Sequence, residues 1–194
     1  MNYLLIVASA CYLESVLERV LSELITDLPK PAHPTDQAAR QLLLEQVQSA
    51  GARKKANELF AILTGQPMAK LSRVVPDGPG LDVLWDLRNM LAHGNPIRAV
   101  VKIPKDEESK WLTEYQGAYK KAHDYLLAQK LLANPVDPMA CDWFFLTDAV
   151  ADHFWSLAYR VVVSMGESLP DRMKEVVRQA VYRPDQMISA NNPS

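Results

Sequence analysis

Cysteine is scarce in this chain, and its scarcity bears on what holds the fold together. Only Cys11 and Cys141 occur among 194 residues. Neither belongs to a CxxC pair or to another spacing typical of metal ligands. The sequence therefore predicts neither a disulfide framework nor a cysteine-based zinc site.

An excess of charge of either sign is also lacking. The formal net charge is -2 at pH 7 and the isoelectric point is about 6.1. Such a chain has no general attraction to polyanions, so contact with a nucleic acid must come from a local cluster of basic groups. The composition argues against a protein that coats RNA over a broad surface.

Long apolar runs are absent as well. The N-terminus MNYLLIVASACYLESVLERV opens with apolar residues, but it lacks a basic leader region and Glu14 interrupts it too early for a membrane span. We expect this segment to be a core helix of a cytoplasmic protein with no membrane association.

Helical periodicity is the main pattern that the chain does contain. In the first segment, apolar residues recur at helical spacing at Leu5, Ala8, Tyr12, Val16, Val20 and Leu24. Proline and glycine clusters separate the periodic stretches. Helices are predicted over residues 2–28, 35–64, 81–93, 109–132, 139–165 and 170–181.

Local signals refine this prediction. Thr35 and Ser109 are suitable N-caps, and Gly51 is a candidate bend within the second helix. Residues 98–104, RAVVKIP, have strand character but are too short and isolated to imply a sheet. We therefore predict an all-α protein, a single-domain antiparallel bundle of about six helices over residues 1–183, with a frayed tail at 184–194.

One stretch, DLRNMLAHG at residues 86–94, combines residue types that suit chemistry. Asn89 and His93 are four residues apart and share a helix face, whereas Arg88 and His93 are five apart and point in different directions. A second copy packed about a two-fold axis would bring each Arg88 to the His93 of its partner. The spacing thus favours a site that is completed by dimerisation.

These side chains fit RNA cleavage by attack of the ribose 2′-OH on the neighbouring phosphate. Histidine has an unperturbed pKa near neutrality, so two copies of His93 could act as general base and general acid. The Arg88 guanidinium is a permanent fork-shaped charge that suits phosphate oxygens. Asn89 could hold the His93 ring or the scissile phosphate. No metal or other cofactor is required.

The segment RNMLAHG resembles the Arg-x4-6-His signature of HEPN proteins, in the form of arginine, a polar residue, three residues and histidine. Ala92 before the histidine and Gly94 after it extend the match. The resemblance covers residues 1–28 and 80–133. It implies a helical bundle that homodimerises, metal-independent endoribonuclease activity, and roles in toxin–antitoxin systems or antiviral defence with an antitoxin or operon partner. Other members of the family only bind RNA or nucleotides.

Three further residues are candidate supporting groups. The first helix resembles that of several HEPN families, which suggests that Glu14 faces the motif and orients Arg88; a solvent-facing glutamate is an equal alternative. Arg98 and Lys102 follow the motif and are placed to touch an RNA backbone if their loop folds over the site.

Structural explanations compete with the functional ones. Arg88 could pair with Asp82 or Asp86, and His93 could bind the last carbonyls of its helix. The basic runs at residues 53–55 and 120–121 are explained by solvated helix faces. His123 and His153 are expected to be surface or packing histidines.

A metal site is the remaining chemical possibility. Asp148, Asp152 and His153 have spacings at which such a site could begin, but no further ligand is placed to complete it. We therefore predict no metal. A non-catalytic module that binds RNA, a nucleotide or a partner protein remains the alternative function, and a purely structural dimerisation protein is a third.

Overall fold

In the computed structural model, the described residues are 2–29, 33–65, 67–68, 75, 77–93, 99–102, 112–132, 146–169, 171, 174–175 and 178. Seven α-helices lie within them: α1 (Asn2–Thr26), α2 (Pro34–Ser49), α3 (Ala52–Lys54), α4 (Phe60–Thr64), α5 (Gly78–His93), α6 (Gly117–Ala128) and α7 (Asp148–Ser168). A π-helical turn, Lys55–Leu59, joins α3 to α4. The predicted all-α class is confirmed.

The first helix buries a stripe that differs from the one chosen from the sequence. Several residues outside the predicted stripe are completely buried, among them Ile6, Ala10, Leu13, Leu17 and Leu21. Val20 of the predicted stripe is also completely buried, and Val16 is nearly so. The predicted positions Leu5, Ala8 and Tyr12 are exposed or only half-buried. Because α1 is apolar on more than one side, periodicity alone could not select its core face.

The predicted second helix is broken where a bend was expected. α2 ends at Ser49, and Ala50 and Gly51 are extended, with ψ of 145° and 159°. His33, not Thr35, is the N-cap: its Nδ1 accepts a hydrogen bond from the Thr35 amide at 3.2 Å, and Pro34 opens the helix.

A small hairpin replaces the start of the predicted fourth helix. Strand β1 (Ala99–Lys102) pairs antiparallel with β2 (Leu112–Tyr115), and Ala99 lies opposite Tyr115. The strand-like segment is therefore not isolated, and Tyr115, which was predicted to lie in the fourth helix, lies in β2 instead. The predicted N-cap Ser109 lies outside the described residues. Two adjacent valines in β1, with threonine and tyrosine in β2, suit cross-strand pairing. α6 begins only at Gly117.

The last long helix starts later than predicted. Leu146 and Thr147 are not helical, and the Thr147 hydroxyl accepts a hydrogen bond from the Val150 amide at 3.3 Å, which caps α7 at Asp148. Residues 139–145 of the prediction lie outside the described residues. So do the tail at 184–194 and most of the predicted helix at 170–181.

The chain divides into two compact units. The first contains Met1–Ala10 and Pro79–Leu157, and the second contains Cys11–Gly78 and Ala158–Ser194. Leu84, Leu126 and Phe154 are completely buried in the first unit, and in the second unit Leu17 is completely buried and Phe60 nearly so. The predicted single domain over 1–183 stays a prediction. No helix in the described ranges is long and apolar enough to cross a membrane.

Candidate functional site

The polar face of α5 carries the candidate motif. Asp82, Asp86, Asn89 and His93 follow one another at steps of four, three and four residues, so they form one stripe along the helix. On the other sides of the helix, seven residues from Gly80 to Met90 are buried, among them Leu84 and Leu87. Burial of the apolar side fixes the rotation of α5 and directs this stripe outwards.

The motif residues differ in how freely they meet solvent. Asn89 and His93 are exposed, whereas Arg88 is half-buried and its Nε is buried. The Nη1 of Arg88 donates a hydrogen bond to Oδ1 of Asn89 at 3.0 Å. The guanidinium is thereby held beside the exposed turn that ends in His93. Asn89 therefore accepts a hydrogen bond from Arg88, and its suggested role in holding the His93 ring or the scissile phosphate stays a prediction.

The two carboxylates of the stripe are matched by a lysine from α6. Lys121 Nζ donates to Oδ2 of Asp86 at 3.1 Å and lies 3.5 Å from Oδ2 of Asp82. Lys121 thus binds both carboxylates. The alternative in which Arg88 pairs with Asp82 or Asp86 stays a prediction. The sequence predicted only a solvated face for Lys121. Its partner Asp86 is 35 residues away, and local spacing cannot reveal so distant a pair.

The neighbouring Lys120 forms a local pair. Lys120 donates a hydrogen bond to Asp124, and this bond is the main reason why the pKa of the Asp124 carboxyl is below its usual value. Burial opposes the shift, while the His123 hydrogen bond and the charges of Lys120 and His123 add to it. Lys120 is thus an ordinary i, i+4 partner on an exposed face.

Histidine 153 is a packing histidine, as predicted. The Tyr125 hydroxyl lies 2.7 Å from Nε2 of His153, and the His153 ring meets the Phe154 ring edge-on with centroids 5.2 Å apart. Asp148 and Asp152 are exposed. Among the residues that the structure describes, no three potential ligands gather into a metal site.

Lys55 is buried, although the sequence predicted that it would be exposed to solvent. Its relative exposure is 2%, although the run at residues 53–55 was assigned to a solvated face. Nζ donates to Oε2 of Glu18 at 2.6 Å and lies 3.6 Å from Oε1 of Glu14. The π-helical turn that begins at Lys55 changes the residue spacing, which an α-helical projection cannot anticipate.

The structure bears differently on the three predicted supporting residues, Glu14, Arg98 and Lys102. The Glu14 side chain is only 18% exposed and pairs with Lys55, so a solvent-facing glutamate is the wrong description. Its proposed orientation of Arg88 stays a prediction. Arg98 lies outside the described residues. Lys102 pairs through β1 with Leu112, and its side chain is outside the described part of the structure.

Comparisons with known proteins found no similar protein. No family model, curated protein or solved structure matches the chain. The HEPN resemblance therefore depends on the motif of α5 and on the helical architecture.

Proposed function

We propose that this protein is a metal-independent endoribonuclease of the HEPN type, acting as a homodimer in the cytoplasm. The observation that carries the proposal is the last part of α5: exposed His93, exposed Asn89 one turn before it, and Arg88 hydrogen-bonded to Asn89 at 3.0 Å. An exposed histidine beside an anchored arginine suits a phosphodiester that must be bound while a proton leaves the attacking oxygen and another reaches the leaving oxygen.

In the proposed reaction, one His93 removes the proton of the ribose 2′-OH, and that oxygen attacks phosphorus. The bond from phosphorus to the 5′ oxygen breaks, and a second histidine gives a proton to the leaving oxygen. The products are a 2′,3′-cyclic phosphate and a 5′-OH end. Arg88 stabilises the charge that develops on the phosphate oxygens. Two histidines are needed, and a second copy of α5 would provide the second one.

The Lys121 pairs support the approach of an anion to this helix. Two carboxylates, Asp82 and Asp86, precede Asn89 and His93 on the same stripe, and alone they would repel a phosphate. Lys121 offsets part of that negative charge. Arg98 and Lys102 remain proposed contacts to the RNA backbone.

The decisive experiment compares wild type with His93→Ala on mixed tRNA and single-stranded RNA in EDTA, with analysis of fragment ends. We expect EDTA-resistant cleavage that leaves cyclic phosphates, and a loss of at least about 100-fold in His93→Ala because a general acid–base group typically contributes that much. His123→Ala is the matched control and should keep its activity, since this histidine lies beside Asp124 on α6. Cleavage that persists in folded His93→Ala would refute the proposal.

A non-catalytic module that binds RNA, a nucleotide or a protein is the second candidate. The net charge of -2 and the carboxylates beside the motif favour it. Fluorescence anisotropy with labelled RNA distinguishes the two: binding without cleavage, weakened by Arg88→Ala, would favour the module. A role as a toxin or defence effector, with an antitoxin or operon partner, belongs to the ribonuclease proposal and predicts that expression arrests growth only when His93 is intact.

A further inference from the structure

The side-chain amide of Asn89 has an orientation that its neighbour determines. A guanidinium has N–H donors and no acceptor, so the atom of Asn89 that faces Arg88 is the carbonyl oxygen. The Arg88 Nη1 atom lies 3.0 Å from Oδ1 of Asn89, which is an ordinary hydrogen-bond distance. The two N–H groups on Nδ2 lie on the other side of the amide, and the residue is exposed. Asn89 therefore meets a bound molecule mainly with hydrogen-bond donors.

The amide donors of Asn89 and the ring of His93 are both open to a ligand. Within the part of the chain that the structure describes, neither makes a hydrogen bond. The two residues share a face of α5, and four residues rise about 6 Å along an α-helix. When the 2′-OH of a nucleotide contacts His93, its ribose lies at one end of this turn. The base can then extend towards Asn89 with the edge that is farther from the ribose.

The charges around Asn89 favour a neutral group over a phosphate at this position. Asp86 precedes Asn89 by three residues on the same stripe, and its side chain is 15% exposed. The ion pair with Lys121 moderates the repulsion between this carboxylate and an anion. The carbonyl oxygen of a base has no net charge and avoids that repulsion. The cation suited to the phosphate is Arg88.

We infer that Asn89 recognises the base beside the cleaved bond through an exocyclic oxygen, O4 of uracil or O6 of guanine. The inference rests on the proposed ribonuclease function. Cytosine and adenine have an amino group at the same positions, and an amino group is a donor. Two donors that face each other both lack an acceptor, which is unfavourable. Acceptors near the ribose occur in all four bases, so the outer edge is the one that separates them.

Binding of short single-stranded oligonucleotides tests the inference without cleavage. Riboses that carry 2′-O-methyl groups cannot attack the phosphate, so fluorescence anisotropy with the full chain measures affinity alone. We expect uridine to bind about three- to tenfold more tightly than cytidine, because one hydrogen bond is gained and a contact between two donors is avoided. Inosine should exceed adenosine by a similar factor. Each pair compares an oxygen with an amino group at one position of the same ring system.

Asn89→Asp should reverse the preference. One carboxylate oxygen keeps the hydrogen bond from Arg88, and the other is an acceptor that suits the amino groups of cytosine and adenine. The readout is the ratio of two dissociation constants, which a general loss of affinity from the added negative charge does not change. Gln48→Glu makes the same amide-to-carboxylate change at an exposed position of α2 and should leave the ratio as in wild type.

Arg88→Ala tests the hydrogen bond that orients the amide. Without the guanidinium, the Asn89 side chain can present its oxygen as readily as its N–H groups. The ratio of uridine to cytidine affinity should then fall to about one. Loss of a phosphate contact alone would weaken both oligonucleotides equally and keep the ratio. A ratio that Arg88→Ala leaves unchanged would therefore contradict the role assigned to this hydrogen bond.

The outcomes distinguish this inference from the proposed activity. RNA cleavage by wild type without a preference within either base pair, or a preference that Asn89→Asp leaves unchanged, would overturn the base contact and leave the ribonuclease proposal intact. A uridine preference that depends on Asn89, in a protein that does not cleave RNA, would support the contact and refute cleavage. Equal affinity for all four oligonucleotides, or binding to none of them, would also overturn the inference. Circular dichroism establishes that each variant is folded, and the wild-type ratios test the inference without any variant.

Discussion

At the scale of single residues, Lys55 is the clearest case in which surroundings override residue type. Glu14 and Glu18 are one turn apart on α1 and would repel each other without a cation. Lys55 supplies the cation from a π-helical turn and loses nearly all contact with water in doing so. Its ammonium is stabilised because both carboxylates, which keep partial contact with solvent, compensate for the lost hydration.

Replacing Lys55 with methionine should lower the free energy of unfolding by about 1–3 kcal/mol, since charge-assisted hydrogen bonds are lost and two like charges are left together. Urea unfolding monitored by circular dichroism measures the change. Lys54→Met is the matched control: Lys54 is exposed, donates to Gln46, and should cost less than about 0.5 kcal/mol. Equal effects of the two substitutions would contradict the role assigned to burial.

At the scale of elements, the ends of the helices show how local chemistry limits periodicity. The Thr147 hydroxyl starts α7, His33 and Pro34 start α2, and Gly65 ends α4 with φ of 84°. Each cap satisfies backbone groups that the helix cannot pair internally. The element boundaries are therefore set by a few side chains at the ends and by tertiary pairing, as in the hairpin of β1 and β2.

Gly65→Ala should lower the free energy of unfolding by about 1 kcal/mol, because the left-handed conformation brings Cβ close to the neighbouring carbonyl. Gly51→Ala is the control, since Gly51 has φ of -70° and an added Cβ would meet no atom within 4 Å. It should be neutral or slightly stabilising. Thermal and urea unfolding report both effects, and a neutral Gly65→Ala would show that this cap does not constrain the fold.

At the scale of the whole molecule, the proposed activity requires two copies. A site that needs His93 from both protomers is inactive in a mixed dimer, so adding an equimolar amount of inactive His93→Ala to wild type should reduce the measured activity to about one half after subunits exchange. His123→Ala added in the same way should not inhibit. If His93→Ala leaves the activity unchanged under conditions in which labelled subunits demonstrably exchange, each protomer acts alone.

Local patterns in the sequence were enough to predict the helical class and the position of the motif. Apolar residues at helical spacing and proline and glycine between them predicted the long helices, and the motif lies on α5, as its sequence indicated. The predicted stop at residues 94–96 lies outside the described residues. The polar residues of that helix share a stripe because the repeat of an α-helix is fixed by backbone geometry. These features are local, so they can be read from neighbouring residues.

Contacts between distant segments establish which helix faces are buried and which charged groups form pairs. The core stripe of α1, the burial of Lys55, the bond between Lys121 and Asp86, and the pairing of β1 with β2 all join residues that are distant in sequence. A local pattern contains no information about which distant segment will be adjacent. The adjacent segment determines whether a side chain is buried and which groups compensate for its lost hydration. The same residue type, such as lysine, is therefore a solvated cation in one environment and part of the protein interior in another.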